Sequence, residues 1–540
     1  MKPRPSARIF SLLLSASASA FAHADERLVL NDNVDEPLKM QIVQPWYRNT
    51  VYASMPVDEL KVNLYPSVGI NPGYAVGSTL RIQIRTDDGD VVGEKVQADL
   101  PLTFLLRETV PIGELPAGRY RVVAEMFDSH GEVLRNVPGK ICKAESRLTI
   151  APPAKHEVVF DAKGICRVDG EAFFPIGMYW AGRPVVFKVM NRWREDAGLE
   201  PLTLEQWYRD IREMGINIIQ DAFDWHSDVT DFSRGVKERT DLLRRAGLRS
   251  FNGINVDHED RIPMMAASPG LLAWYTFDEP IQFGESYIHE TVGPRYRRVR
   301  EIDPYHPQIV CDNMISAMRL EAPHTDILMP DLYPQRGGDM RAVGRVVAEL
   351  KTLKGARAIV WPVIQAFQIS NYTSRPDGSA YTFGRLTYEE MRAIVFDAVA
   401  CGATGIAYYA YFSGGPQTLP DGSTRPNYLL DAFPDQREAM TKTNRQLGHL
   451  VPAILTGQQR PTQIAPQDSD AHARAFVHGG KCYVLVTNPG RAPIDVRIGV
   501  LGVDDQDGRD LYSNTTVAID TGYFSVPLKP LEVFVFTFDL

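Results

Sequence analysis

Residues 203–222, Thr-Leu-Glu-Gln-Trp-Tyr-Arg-Asp-Ile-Arg-Glu-Met-Gly-Ile-Asn-Ile-Ile-Gln-Asp-Ala, hold one complete helix-to-strand unit. Thr203 opens a helix with Glu205 and Gln206 in its first turn, and Gly215 closes it after Met214. An apolar strand, Ile216 to Ala222, follows and carries Asp221 near its end. The same grammar recurs on both sides. Further strands are expected at Phe173 to Tyr179, Arg249 to Ile254, Ala273 to Phe277, Gln308 to Cys311, Asp326 to Met329, Ala358 to Ile364 and Gly405 to Ala410. Helices are expected at Ser233 to Ala246, Tyr287 to Ile302, Met340 to Leu353 and Thr387 to Ala400, with Gly247 and Gly402 as stops. Eight strands, each followed by its own crossover, predict a (β/α)8 TIM barrel over 154–457 in preference to an open sheet.

The flanks read differently. Over 25–153, short alternating runs such as Leu80 to Arg85 and Arg119 to Ala124 precede turn sequences, Asp87-Asp88-Gly89 and Asp128-Ser129-His130-Gly131. That pattern predicts a β-sandwich. Strands return over 458–540, including Lys481 to Val486 and Val533 to Phe538, and predict a second, smaller one. The fold class is therefore multidomain, α/β plus all-β.

At 540 residues the chain is long enough for three or four ordinary domains. Hydrophobic residues are 44% and charged residues 23%, a globular composition. The net charge of −9, with no long basic run, argues against nucleic acid or an anionic membrane surface as partner. A neutral substrate is easier to accommodate. Residues 1–24 read as an export signal: Lys2, Arg4 and Arg8, the apolar segment Ile9 to Leu14, then small residues ending Ala22-His23-Ala24. A periplasmic or extracellular location is expected, with no membrane span, because no later run of 18 apolar residues occurs. Five cysteines (Cys142, Cys166, Cys311, Cys401, Cys482) are too scattered for a disulfide scaffold or a zinc site. Cys142 and Cys166 flank the first domain junction and are the one pair considered for a bridge; Cys311 and Cys401 read as core. The eleven His residues show no paired spacing, so neither a metal nor a cofactor is expected.

A TIM barrel places chemistry at the carboxyl ends of its strands. There the sequence puts Tyr179 and Trp180, Asp221 with Asp224 and Trp225, Asn255 with Asp257 and His258, and Asp278-Glu279-Pro280. The later strands end at Asp312-Asn313, at Asp331 with Tyr333, at Gln365, and at Tyr409 and Tyr411. Carboxylates and amides bind hydroxyls while aromatic faces pack on sugar rings, which suits an oligosaccharide or polysaccharide. Barrel filling is the competing reading of any single ring, and loop capping that of Asp331.

The segment Leu272-Ala273-Trp274-Tyr275-Thr276-Phe277-Asp278-Glu279-Pro280 resembles the acid/base segment of the large clan of TIM-barrel glycoside hydrolases related to cellulases and β-galactosidases. The stretch Arg167 to Tyr179 is similar to the strand that opens such barrels. The resemblance implies that Glu279 is the general acid/base. It also implies a nucleophilic Glu on the seventh strand, where this chain has Gln365. Glycoside hydrolysis commonly uses two carboxyls, and the second is expected to be Asp331, two strands away, in an inverting arrangement. Asp221, Asp224 and Asp312 are its rivals. Asp221, Asp224, Asp278, Asn313, Tyr179, Trp180, Tyr333, Gln365 and Tyr409 are expected to contact substrate. Three alternatives stand beside this: a noncatalytic glycan-binding or polysaccharide-assembly protein, a transglycosylase, and a substrate-assisted hexosaminidase in which Asp278 orients an acetamido group.

Overall fold

The computed structural model describes residues 37–66, 77–100, 105–135, 139–221, 227–353, 357–367, 384–412, 433–467 and 469–540, and the backbone of short strands at 369–373, 380–383, 417–418 and 424–425. The expected export segment and Asp224 lie outside them. The chain divides into two compact units, 1–163 and 164–540.

The first unit is all-β. Leu38–Gln44, Glu59–Pro66 and Leu106–Pro111 form one antiparallel sheet. A five-stranded sheet has the order Thr50–Val51, Lys143–Ile150, Gly118–Phe127, Thr79–Arg85, Val91–Gln97. Alternate residues of both sheets, among them Leu60, Val62, Leu80, Ile82, Val122 and Leu148, supply one core.

The second unit is built on nine parallel segments: β1 (Ile176–Gly182), β2 (Ile218–Asp221), β3 (Arg249–Gly253), β4 (Leu271–Asp278), β5 (Gln308–Asp312), β6 (Ile327–Pro330), β7 (Ile359–Val360), β8 (Val363–Gln365) and β9 (Ile406–Tyr409). Their spatial order is β7-β6-β5-β4-β3-β2-β1-β9-β8. The two end segments, β7 and β8, are consecutive in the chain and only Trp361 and Pro362 separate them. Such an order is consistent with a TIM-like barrel whose seventh strand is interrupted by a proline that cannot donate to the ladder.

Helices fill the crossovers. They are α1 (Pro184–Asp196), α2 (Leu204–Glu213), α3 (Val229–Ala246), α4 (Ile262–Ala266), α5 (Gly293–Ile302), α6 (Ile315–Glu321), α7 (Arg341–Lys351), α8 (Tyr388–Ala400) and α9 (Pro434–Thr456). α2 starts with a full capping box, in which the Thr203 side chain accepts from Gln206 N–H and Gln206 from Thr203 N–H. α3 ends at Gly247 with φ 69°, a left-handed cap that glycine adopts without strain. The helix expected over Tyr287 to Ile302 is broken: a π-turn at Ile288–Val292 precedes α5. The crossover after β3 is reduced to a 3-10 turn and the single-turn α4.

The strands after residue 457 fold within the second unit. A six-stranded and a three-stranded antiparallel sheet enclose Val484, Val486, Ile498, Phe524 and Phe536. Phe476, Leu485, Val533 and Val535 face the other way and join the core of the parallel sheet. All five cysteines are thiols, so the bridge considered for Cys142 and Cys166 is absent. No described helix is long and apolar enough to cross a membrane.

Candidate active site

Three strand ends, those of β4, β5 and β6, converge on one anionic patch. β4 is eight residues long, and its register against β5 slips between Tyr275 and Phe277. The slip cancels the two-residue alternation, so Tyr275 and Asp278 meet, and the Tyr275 hydroxyl donates to Asp278 Oδ1 at 2.7 Å. Glu279 follows with φ 44° and ψ 54°, a left-handed conformation costly for a residue with a side chain. Its N–H bonds to Cys311 O at 2.7 Å, which anchors the bend on β5. Asn313 Nδ2 donates to Glu279 Oε1 at 2.5 Å, and Gln282 Nε2 donates to Oε2.

Asp312 ends β5 fully buried, accepting from Met314 N–H at 2.9 Å and Ile281 N–H at 3.4 Å. Asp331 follows β6, with its N–H on Asp312 O at 3.2 Å. It is 8% exposed, and its Oδ1 meets no donor among the described residues. Burial raises the Asp331 pKa to about 8, reinforced by the charges of Glu279, then Asp278 and Asp312. Burial likewise raises Glu279, with Asp278 and Asp312 adding to it, while the Asn313 amide opposes. Asp278 is raised by burial too, against the Tyr275 hydroxyl and the Arg183 charge. Burial and the facing carboxyls therefore favour the protonated form of Asp331 at neutral pH.

Behind Asp312 stands Glu321, the last residue of α6, fully buried and with no donor to either carboxyl oxygen among the described residues. Burial and the Asp312 charge raise its pKa to about 9, so it carries a proton and donates it to Asp312. Nothing in the local sequence marks Glu321; only the packing of α6 against β5 reveals it.

Rings line the adjoining wall. Tyr333 stacks edge-on against Phe367 at 5.0 Å and tilts against Tyr409 at 5.9 Å, and both tyrosines remain partly exposed. Trp180, held at φ 58°, carries the Arg183 guanidinium over its ring at 4.0 Å.

Three expected substrate contacts are corrected. Tyr179 is 3% exposed, its hydroxyl donates to the Tyr275 hydroxyl at 3.2 Å and its ring packs on Phe251, so it fills the interior. Asp221 is 1% exposed and bound by Arg239 of α3 at 2.6 Å, an ion pair that ties the crossover helix to the sheet. Gln365 spends its amide on the chain: Oε1 accepts from Gln335 N–H, and Nε2 donates to Phe367 O and Gly384 O. Tyr411, also expected at the mouth, is fully buried against Trp207, with its hydroxyl directed to Asp210.

One group of metal-ligating atoms lies close together among the described residues: Asp397, Cys401 and His472, within 4.8 Å of one another. It sits between α8 and the C-terminal strands, away from the mouth. Asp397 Oδ1 there accepts from His472 Nδ1 and Thr487 Oγ1, and Oδ2 presses on Gly344, where a Cβ would stand 1.9 Å away. The Arg474 charge acts on Cys401, so the group reads as a hydrogen-bonded seam.

No family model and no curated protein matches the chain. Solved structures of low identity do. An FMN-binding β-glucuronidase from Facaelibacterium prausnitzii L2-6 is 15% identical, with 92% of this chain and 74% of that one covered and a TM-score of 0.36. A GH30 endoxylanase from Clostridium papyrosolvens C71 is 12% identical, with 68% and 96% covered and a TM-score of 0.38. An α-amylase from Geobacillus thermoleovorans, complexed with acarbose, is 10% identical, with 62% and 91% covered and a TM-score of 0.42.

Proposed function

We propose that this protein hydrolyses glycosidic bonds in an oligosaccharide or polysaccharide that bears no negative charge, with Glu279 and Asp331 as the catalytic carboxyls. The observation that carries the reading is their convergence: Glu279 is the charge that acts most strongly on Asp331, and the pair sits beside the Tyr333, Phe367 and Tyr409 rings. Burial and the Glu279 charge favour a proton on the pair at rest. One carboxyl gives that proton to the glycosidic oxygen as the C1–O bond breaks. The other, ionised, takes a proton from the water that adds to C1, so the pair ends with one proton again. The absence of a carboxylate at Gln365 leaves no nucleophile in the place the resemblance implies, which favours inversion.

The same reading takes 154–457 as a (β/α)8 catalytic barrel, 25–153 and 458–540 as β-sandwich flanks without chemistry, and 1–24 as a segment removed on export to the periplasm or beyond. Anomer-resolved NMR on the purified protein with an oligosaccharide panel tests it. Inverted product that disappears with Glu279→Gln is expected; retained product, or no turnover on any glycan, overturns it.

A further inference from the structure

We propose that the sugar bound at this mouth carries a free ammonium group, as an amino sugar without its acetyl group does. The inference rests on the glycosidase reading and narrows its substrate class. Four carboxyls, Asp278, Glu279, Asp312 and Asp331, act on one another there, with Glu321 behind them. The cation that bears on Asp278 is Arg183, and its guanidinium lies over the Trp180 ring. The charges that act most strongly on Asp331 are those of the carboxyls Glu279, Asp278 and Asp312.

Independently, Asp331 Oδ1 is a buried acceptor with no donor among the described residues, and the Asp331 charge acts on Tyr333 of the aromatic wall. A buried acceptor left open costs free energy until something fills it. A sugar hydroxyl offers one donor and leaves the like-charge repulsion intact. An ammonium offers three donors and a positive charge, satisfying Asp331 and Asp278 together. It would also draw Asp331 back to its ionised form, the form that activates water. A uronate, in contrast, would bring a fifth negative charge to the patch.

Three oligomers of identical β-1,4 backbone and length isolate the C2 substituent: glucosamine, N-acetylglucosamine and glucose. Calorimetric binding to the full chain at low ionic strength should favour the glucosamine oligomer by roughly tenfold or more, the scale of one partly screened charge pair. Asp278→Asn, which keeps an oxygen to accept from the Tyr275 hydroxyl and whose folding is checked by its melting temperature, should abolish most of that preference. Equal affinity for all three overturns the inference and leaves the glycosidase reading standing. A preference that survives both Asp278→Asn and Asp331→Asn traces to the overall negative charge and overturns it as well. Binding of none of the three, together with no turnover in the wider panel, removes the glycosidase reading and the inference with it.

Discussion

Two sets of buried carboxyls in the second unit are treated in opposite ways. At the amino-terminal end of the parallel strands, Asp303 accepts from Trp274 Nε1 at 2.7 Å, His306 Nδ1 at 2.8 Å and Tyr305 N–H at 3.0 Å. Burial pushes its pKa up, but His306 and the other donors outweigh burial and hold it below the ordinary value. Glu390, 3% exposed at the start of α8, is the same case: Arg491 and the Thr387 and Gly337 N–H groups overcome burial and lower it. At the mouth, Asp331 and Glu321 are buried as deeply, face other carboxyls and titrate high. Donors hold down the carboxylates Asp303 and Glu390, whereas Asp331 and Glu321 face other carboxyls, the arrangement that marks a group as a candidate for chemistry.

The contrast makes the two sets separable by mutation. The largest effect should come at Glu279. Glu279→Gln should lower turnover of a substrate with a poor leaving group by about two to four decades while leaving the melting temperature near that of the wild type. If Glu279 is the proton donor, an activated aryl glycoside should recover most of that loss; if Asp331 is, the recovery should appear in Asp331→Asn. Equal, small losses on both substrates in both variants would break the comparison at the mouth.

At the other end the loss should fall on stability. Asp303→Ala leaves Trp274 Nε1–H and His306 without their buried acceptor and should cost about 3–5 kcal/mol, read as a lower denaturant midpoint. Residual turnover of the folded fraction should match the wild type. A smaller cost, about 1–3 kcal/mol, is expected for Glu390→Gln, which keeps the shape but loses the charge facing Arg491. A change in kcat without a change in stability at either position would contradict the division.

Some of this contrast is legible in the chain and some is not. Strand ends could be found because apolar runs stop at polar residues, and Gly247 marks its helix stop for a stereochemical reason. The convergence of Asp278, Glu279 and Asp331 follows from strand order, so it too was within reach of the sequence. Side-chain direction was not. Asp221 lies at a strand end yet turns toward Arg239, and Tyr179 points into the interior, because one residue of register decides the face. The slip at Tyr275 that turns Asp278 inward has no residue signature, and Gln365 looks like a ligand until three backbone partners on other segments consume its amide. Partnership across long sequence separations is what periodicity cannot carry.

A pH dependence separates the two sets by sign. Glu321 has a folded pKa of about 9 against an ordinary glutamate value near 4.3. Between those values the folded chain keeps a proton that the unfolded chain has released, so this group's contribution is full below about pH 4.3 and is lost as pH rises toward 9. Asp331 adds a loss of the same sign, up to about pH 8. Glu390, lowered in the folded state, does the reverse: its contribution is present above the ordinary value and is lost as pH falls through its folded pKa. Glu321→Gln keeps a neutral donor facing Asp312 and removes the ionisation. The variant should match the wild type near pH 4 and gain on it progressively as pH rises toward 9, as measured by denaturant midpoints. Glu390→Gln should instead flatten the acid limb and leave the alkaline one unchanged. A wild-type stability that does not fall between pH 7 and 9, or a Glu321→Gln gain that is the same at both, would mean that Glu321 finds a donor in solution and belongs with Asp303 and Glu390 after all.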